Sequence, residues 1–70
     1  MPLEDLDKRF GVIAVEKGFI TSVQLIEAMK IQIYEELEDN KRRIIGVILR
    51  DKGYITISQV DEVLKFMGLL

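Results

Sequence analysis

Seventy residues, 49% of them apolar and 31% charged, carry ten Lys and Arg against twelve Asp and Glu, for a net charge of −2. That length and balance fit one small globular domain and exclude a second. With neither Cys nor His, the chain has no disulfide, no thiolate nucleophile and no imidazole, which removes most catalytic and metal-binding chemistry.

The apolar spacing predicts helix 1 over about residues 5–17. Gly18 closes it, since a helix C-terminus favours a residue free to take φ > 0. Thr21-Ser22-Val23-Gln24 then spells a capping box, in which hydroxyl and amide each satisfy the other residue's backbone N–H, so helix 2 is expected at about 22–38. Ile20 and Leu25 flank that cap at the spacing of a hydrophobic staple. Helix 2 stands out by length. Its expected inward stripe is Ser22, Leu25, Ile26, Met29, Ile33 and Leu37, at the i, i+3, i+4 spacing of an amphipathic helix. Ile31 and Tyr34 fall outside the stripe, either covered by helices 1 and 4 or left as a contact face.

The junction Glu35-Glu36-Leu37-Glu38-Asp39-Asn40-Lys41-Arg42-Arg43 switches from acid to base. Acids at a helix C-terminus and cations at the next N-terminus oppose both macrodipoles, so pairing across the turn is expected to compensate. The basic cluster is either a solvated corner or a site for a phosphate or acidic partner. Helix 3 is expected at about 41–52 and helix 4 at about 57–67. Gly53, the capping box Thr56-Ile57-Ser58-Gln59 and the staple pair Ile55 and Val60 separate them.

These signals recur because the chain is a repeat. A shift of 35 residues aligns Arg9–Gln32 with Ile44–Met67, with ten of 24 pairs identical, among them Gly11/Gly46, Lys17/Lys52, Gly18/Gly53, Thr21/Thr56, Gln24/Gln59 and Glu27/Glu62. The fold class that follows is all-α, with two tandem helical hairpins forming a small compact bundle. Residues 1–70 make one domain of two repeats, at about 9–32 and 44–67.

Catalysis would need a nucleophile or a tuned acid and base, and the chain offers two Ser, two capping Thr and scattered carboxylates. No phosphate-binding glycine loop is present, and a non-enzymatic role is expected. The acidic balance and the lack of a basic recognition helix argue against nucleic acid. Charges interrupt every apolar run before the ~18 residues of a membrane helix, so no direct membrane insertion is expected. The start Met-Pro-Leu-Glu-Asp lacks the basic and apolar regions of a signal peptide, which makes a cytoplasmic location the expectation.

Two polar residues stand out in the first repeat. Gln32 lies on the Leu25/Met29 side of helix 2, as either a satisfied boundary amide or a ligand contact. Arg9 precedes Phe10 and Gly11, as either a surface residue or part of a site that Gly11 lets a ligand approach.

Arg9-Phe10-Gly11, Gly18-Phe19-Ile20-Thr21, Gln24-Leu25, Ala28-Met29 and Gln32 resemble the tandem 24-residue unit in the N-terminal domain of type II secretion and type IV pilus assembly ATPases. The resemblance spans about residues 9–67. It implies a helical, non-enzymatic domain that links a motor to other parts of its machine. It also implies, for one branch of the family, cyclic di-GMP as a regulatory ligand held by the opening Arg and closing Gln, here Arg9 and Gln32, beside Phe10 and Gly11. The second repeat has Ile44 and Met67 at those positions, a degenerate second half-site whose nearest cation is Arg43.

The leading expectation is therefore a protein–protein interaction or regulatory module with no cofactor; the alternative is a cyclic di-GMP receptor. A chain this short buries only ~60% of its unfolded surface. Self-association or a protein partner is thus expected to cover Ile31, Tyr34, Phe66, Leu69 and Leu70.

Overall fold

The computed structural model describes residues 3–70, with side chains from Leu6 onward, so the acidic start lies largely outside the described side chains. It contains four helices: α1 (Leu3–Glu16), α2 (Ser22–Glu38), α3 (Ile45–Asp51) and α4 (Ile57–Phe66). The described residues contain no strand, and the fold is the expected small all-α bundle.

Both hairpin turns follow from the doubled local sequence. Thr21 Oγ1 accepts the Gln24 N–H at 3.1 Å while Gln24 Oε1 accepts the Thr21 N–H at 2.9 Å, and Thr56 and Gln59 repeat the exchange at 3.1 and 3.0 Å. Gly18 and Gly53 take φ of 77° and 79°, the left-handed region that costs other residues a steric penalty. Around each, two N–H groups turn back on the preceding helix, Gly18 to Val15 and Phe19 to Ala14, then Gly53 to Arg50 and Tyr54 to Leu49. This paired stop is the Schellman motif. It occurs a third time at Gly68, where Leu69 N–H reaches the Leu64 carbonyl at 2.9 Å and fixes the residue that follows α4.

The repeats pack across one another. α3 lies against both α1 and α2, and α1 lies against both α3 and α4. Identical residues cross-pair: Lys17 of the first repeat meets Glu62 of the second at 3.6 Å, and Lys52 of the second meets Glu27 of the first at 3.2 Å. The charge pairing between the repeats is thus reciprocal. They share a single core, with Ala14, Ala28, Ile45, Leu49 and Val63 fully buried and Phe10, Ile20, Leu25, Ile48 and Ile55 nearly so.

Two expectations are corrected. Helix α3 starts at Ile45, not near residue 41, because Asn40 adopts φ 54°, Lys41 N–H returns to the Glu35 carbonyl at 3.2 Å, and Ile44 is extended. The core face of α2 is also rotated from the expected stripe. Leu25 and Ala28 are buried and Met29 and Gln32 half-buried, whereas Ser22, Ile26, Ile33 and Leu37 face solvent. Gly11 explains part of the rotation: a Cβ there would run into the Leu25 methyls, so the bare α1 backbone is what Leu25 packs on.

Leu49 is fully buried on the seven-residue α3. Leu49→Ala should cost about 2–5 kcal/mol, read as a lowered urea midpoint at unchanged slope, or as an unfolded chain by circular dichroism.

Candidate functional site

Asp7, 8% exposed, sits on α1 about one turn before the core residue Phe10 and binds two other parts of the fold. Its Oδ1 accepts the backbone N–H of Ile45 at 3.3 Å, and its Oδ2 accepts Gln32 Nε2 at 2.6 Å. Gln32 Nε2 also donates to the Arg43 carbonyl at 2.9 Å. Because Ile44, at the N-cap of α3, has no side-chain acceptor, Asp7 caps that helix from a distant element. Nothing in the local sequence announces the role: an Asp in the first turns of a helix is ordinarily there for the macrodipole.

The acid-to-base corner is closed by Arg43, whose Nε and Nη2 meet the two oxygens of Glu35 at 2.9 and 2.7 Å while Nη1 meets Asp51 at 2.7 Å. Arg43 holds the Glu35 carboxyl below the ordinary range, and Glu35 in turn raises the guanidinium. Earlier on α2, the Tyr54 hydroxyl lies 3.0 Å from both Glu27 oxygens. Glu27 is held low by Tyr54 and then by Lys52, and Tyr54 is pushed up by Glu27.

An apolar groove of about 350 Å³ opens between α1, α3 and α4. The two repeat glycines are covered differently: Leu25 packs over Gly11, whereas the Phe10 ring packs over Gly46, where an added Cβ would come within 3.1 Å of it. The groove is floored by Phe10 and Gly46, walled by Leu6, Val47, Leu64 and Met67, and edged by Leu69, with Asp7 and Arg50 as its charged members. Asp7 is turned to Gln32 and Ile45, so the groove offers apolar contact with Arg50 at its rim. No group of three metal-ligating side chains occurs among the described residues.

The five residues assigned to a cyclic dinucleotide are distributed differently. Phe10 and Gly11 are inside the core, Gln32 and Arg43 meet each other and are engaged by Asp7, Glu35 and Asp51, and Arg9 is exposed on α1. Gln32 is a satisfied boundary amide. Of the five residues assigned to a partner, Tyr34, Phe66, Leu69 and Leu70 are exposed, with the Lys17 ammonium 4.7 Å from the Phe66 ring centroid. Ile31 is half-buried and packs against the core. Sequence reasoning missed Asp7 and the groove.

Asp7→Ala removes the α3 cap and leaves the Gln32 amide one acceptor short, for an expected loss of about 1–3 kcal/mol by chemical denaturation. Stability should also follow pH at both ends. Glu27 and Glu35 are lowered on folding, so their contribution is present above the ordinary carboxylate range of ~4 and is lost as pH falls through their lowered values. Tyr54 is raised, so its contribution is present below the ordinary phenol value of ~10 and is lost as pH rises through the raised one. Thermal melts across that span should show a plateau between the two declines; Tyr54→Phe should remove the alkaline decline. Compared with known proteins, the chain matches no family model, no curated protein and no solved structure.

Proposed function

We propose that this chain is a non-enzymatic interaction module that docks a protein partner in the apolar groove between α1, α3 and α4. The observation that carries the reading is the groove itself: about 350 Å³ of almost wholly apolar surface, continuous with exposed Leu69 and Ile57, on a domain this small. Apolar surface of this kind, with one charged group at the rim, suits an apolar side chain presented by a partner helix or loop. The motif resemblance to the N-terminal domain of secretion and pilus ATPases supports the same class of role, a cytoplasmic connector between a motor and its platform. Among the described residues, no helix is long and apolar enough to cross a membrane.

The cyclic di-GMP alternative keeps Arg9 as an exposed contact, while Gln32 and Arg43 already bond to Asp7, Glu35 and Asp51.

The groove reading is tested with immobilised domain. A partner captured from lysate and identified by mass spectrometry should be lost with Leu69→Glu, which places a carboxylate at the groove edge, and retained with Arg9→Ala. Capture that is equal with both variants removes the reading. In parallel, calorimetric titration with cyclic di-GMP should give no heat at high micromolar ligand; heat that disappears in Arg9→Ala would establish the alternative.

A further inference from the structure

The two hairpins are alike in sequence but differ in how their second helices are fastened. α2 is held at three points along its length: Glu27 by Lys52 at 3.2 Å and by the Tyr54 hydroxyl at 3.0 Å, Gln32 by Asp7 at 2.6 Å, and Glu35 by Arg43 at 2.7 Å. α4 is held by one cation. Lys17 lies 3.6 Å from Glu62 and 4.7 Å from the Phe66 ring centroid, and among the described residues no other side chain ties α4 to another helix by charge or hydrogen bond. The residues that fasten α2 are the ones the other repeat lacks. A 35-residue shift sets Phe19 opposite Tyr54 and Met67 opposite Gln32, so Phe19 has no hydroxyl to offer Glu62 and Met67 has no amide. Packing shows the same contrast: of the ten residues of α4 only Val63 is buried and six are exposed, whereas α3 buries four of its seven. A segment with few buried side chains and few ties is where a fold opens locally at least cost.

We infer that α4 is a hinged lid on the apolar groove, latched by Lys17, which swings open while α1, α2 and α3 stay folded. The pivot is Thr56, extended at φ −94° and ψ 163°, because the residues before it are anchored: Tyr54 by Glu27 and Ile55 by burial in the core. Ile57, Val60 and Leu64 of α4 form one wall of the groove, and Phe10, Gly46 and Val47 belong to the elements across it. Movement of α4 therefore sets the width of the groove and uncovers Val63. The latch residues Glu62 and Phe66 lie about 160° round the helix from that wall, so the latch can be altered without changing the groove lining. That the lid regulates docking rests on the interaction-module reading; the motion itself does not.

Native-state hydrogen exchange of the whole chain, followed by NMR at low urea, separates the lid from the rest. Relative to their intrinsic rates, the amides of Val63 and Leu64 should exchange about tenfold or more faster than those of Ala28 and Leu49, with a weaker dependence on urea because less surface is exposed. Lys17→Met should speed exchange in α4 about fivefold. Phe19→Tyr, which supplies Glu62 with the hydroxyl that Tyr54 gives Glu27, should slow it by about the same factor. Gln32→Met unfastens α2 and copies the residue of the other repeat. It should speed exchange at Ala28 and Leu49 and leave Val63 and Leu64 unchanged, since the Asp7 contact is kept whether the lid is open or closed. Equal exchange at all four amides, or a parallel shift of all four in Gln32→Met, would mean one cooperative unit and would overturn the proposal. So would α4 exchange that neither Lys17→Met nor Phe19→Tyr alters. No partner enters these measurements, so failure here is distinct from failure of docking at the groove.

Discussion

The buried carboxylate of Asp7 is the contact on which the arrangement depends. Helix α3 supplies Ile45, Ile48 and Leu49 to the centre of the core, yet it is only seven residues long and begins at an Ile that cannot cap it. A helix of two turns does not persist alone in water, so its formation is tied to the tertiary contacts around it. Asp7 provides the missing acceptor from α1 and, through Gln32, ties the same point to α2. Three helices therefore meet at one carboxylate whose partners lie 25 and 38 residues away in sequence.

The same bond sets what the protein shows to solvent. With Gln32 held inward and Leu25 seated on the bare backbone at Gly11, α2 can present only one face to the core. Ile26, Ile33 and Leu37 are carried outward as a result, and an apolar seam appears on a helix that already has a full core face. Arg43 reinforces this setting. Its fork on Glu35 and its contact with Asp51 join the end of α2 to the end of α3, offsetting the unfavourable placement of like charges at the two helix termini.

Duplication explains the frame, and its imperfections explain the surfaces. Where the repeats agree, the structure is near-symmetric: two capping boxes, two Schellman turns, and the crossed pairs of Lys17 with Glu62 and Lys52 with Glu27. Where they differ, the symmetry opens. α1 extends beyond its repeat to bring Leu6 and Asp7 beside α3, whereas the equivalent stretch before α3 is loop. The Phe10 ring packs over Gly46 where Leu25 packs over Gly11, and the groove opens beside it with Val60 in its lining. A small domain without disulfides has little core to spare, and here the groove and the outer face of α2 both leave apolar side chains exposed.

The sequence by itself determined the four helices, both hairpin turns and the caps, because each rests on contacts within a few residues: Thr21 with Gln24, Thr56 with Gln59, and the left-handed glycines at 18 and 53. It also showed the two-fold repetition through identical residues. The start of α3, the rotation of α2, the packing of half-buried Ile31 on the core and the groove were decided only by the tertiary structure. Helix 2 is apolar on more than one side, so periodicity alone does not say which stripe faces inward, and the choice falls to Gly11 and to Asp7. The roles of Asp7, Gln32 and Arg43 were illegible for the same reason: a polar residue's partner is defined by the fold, and no local spacing encodes a hydrogen bond that closes across 25 residues or more.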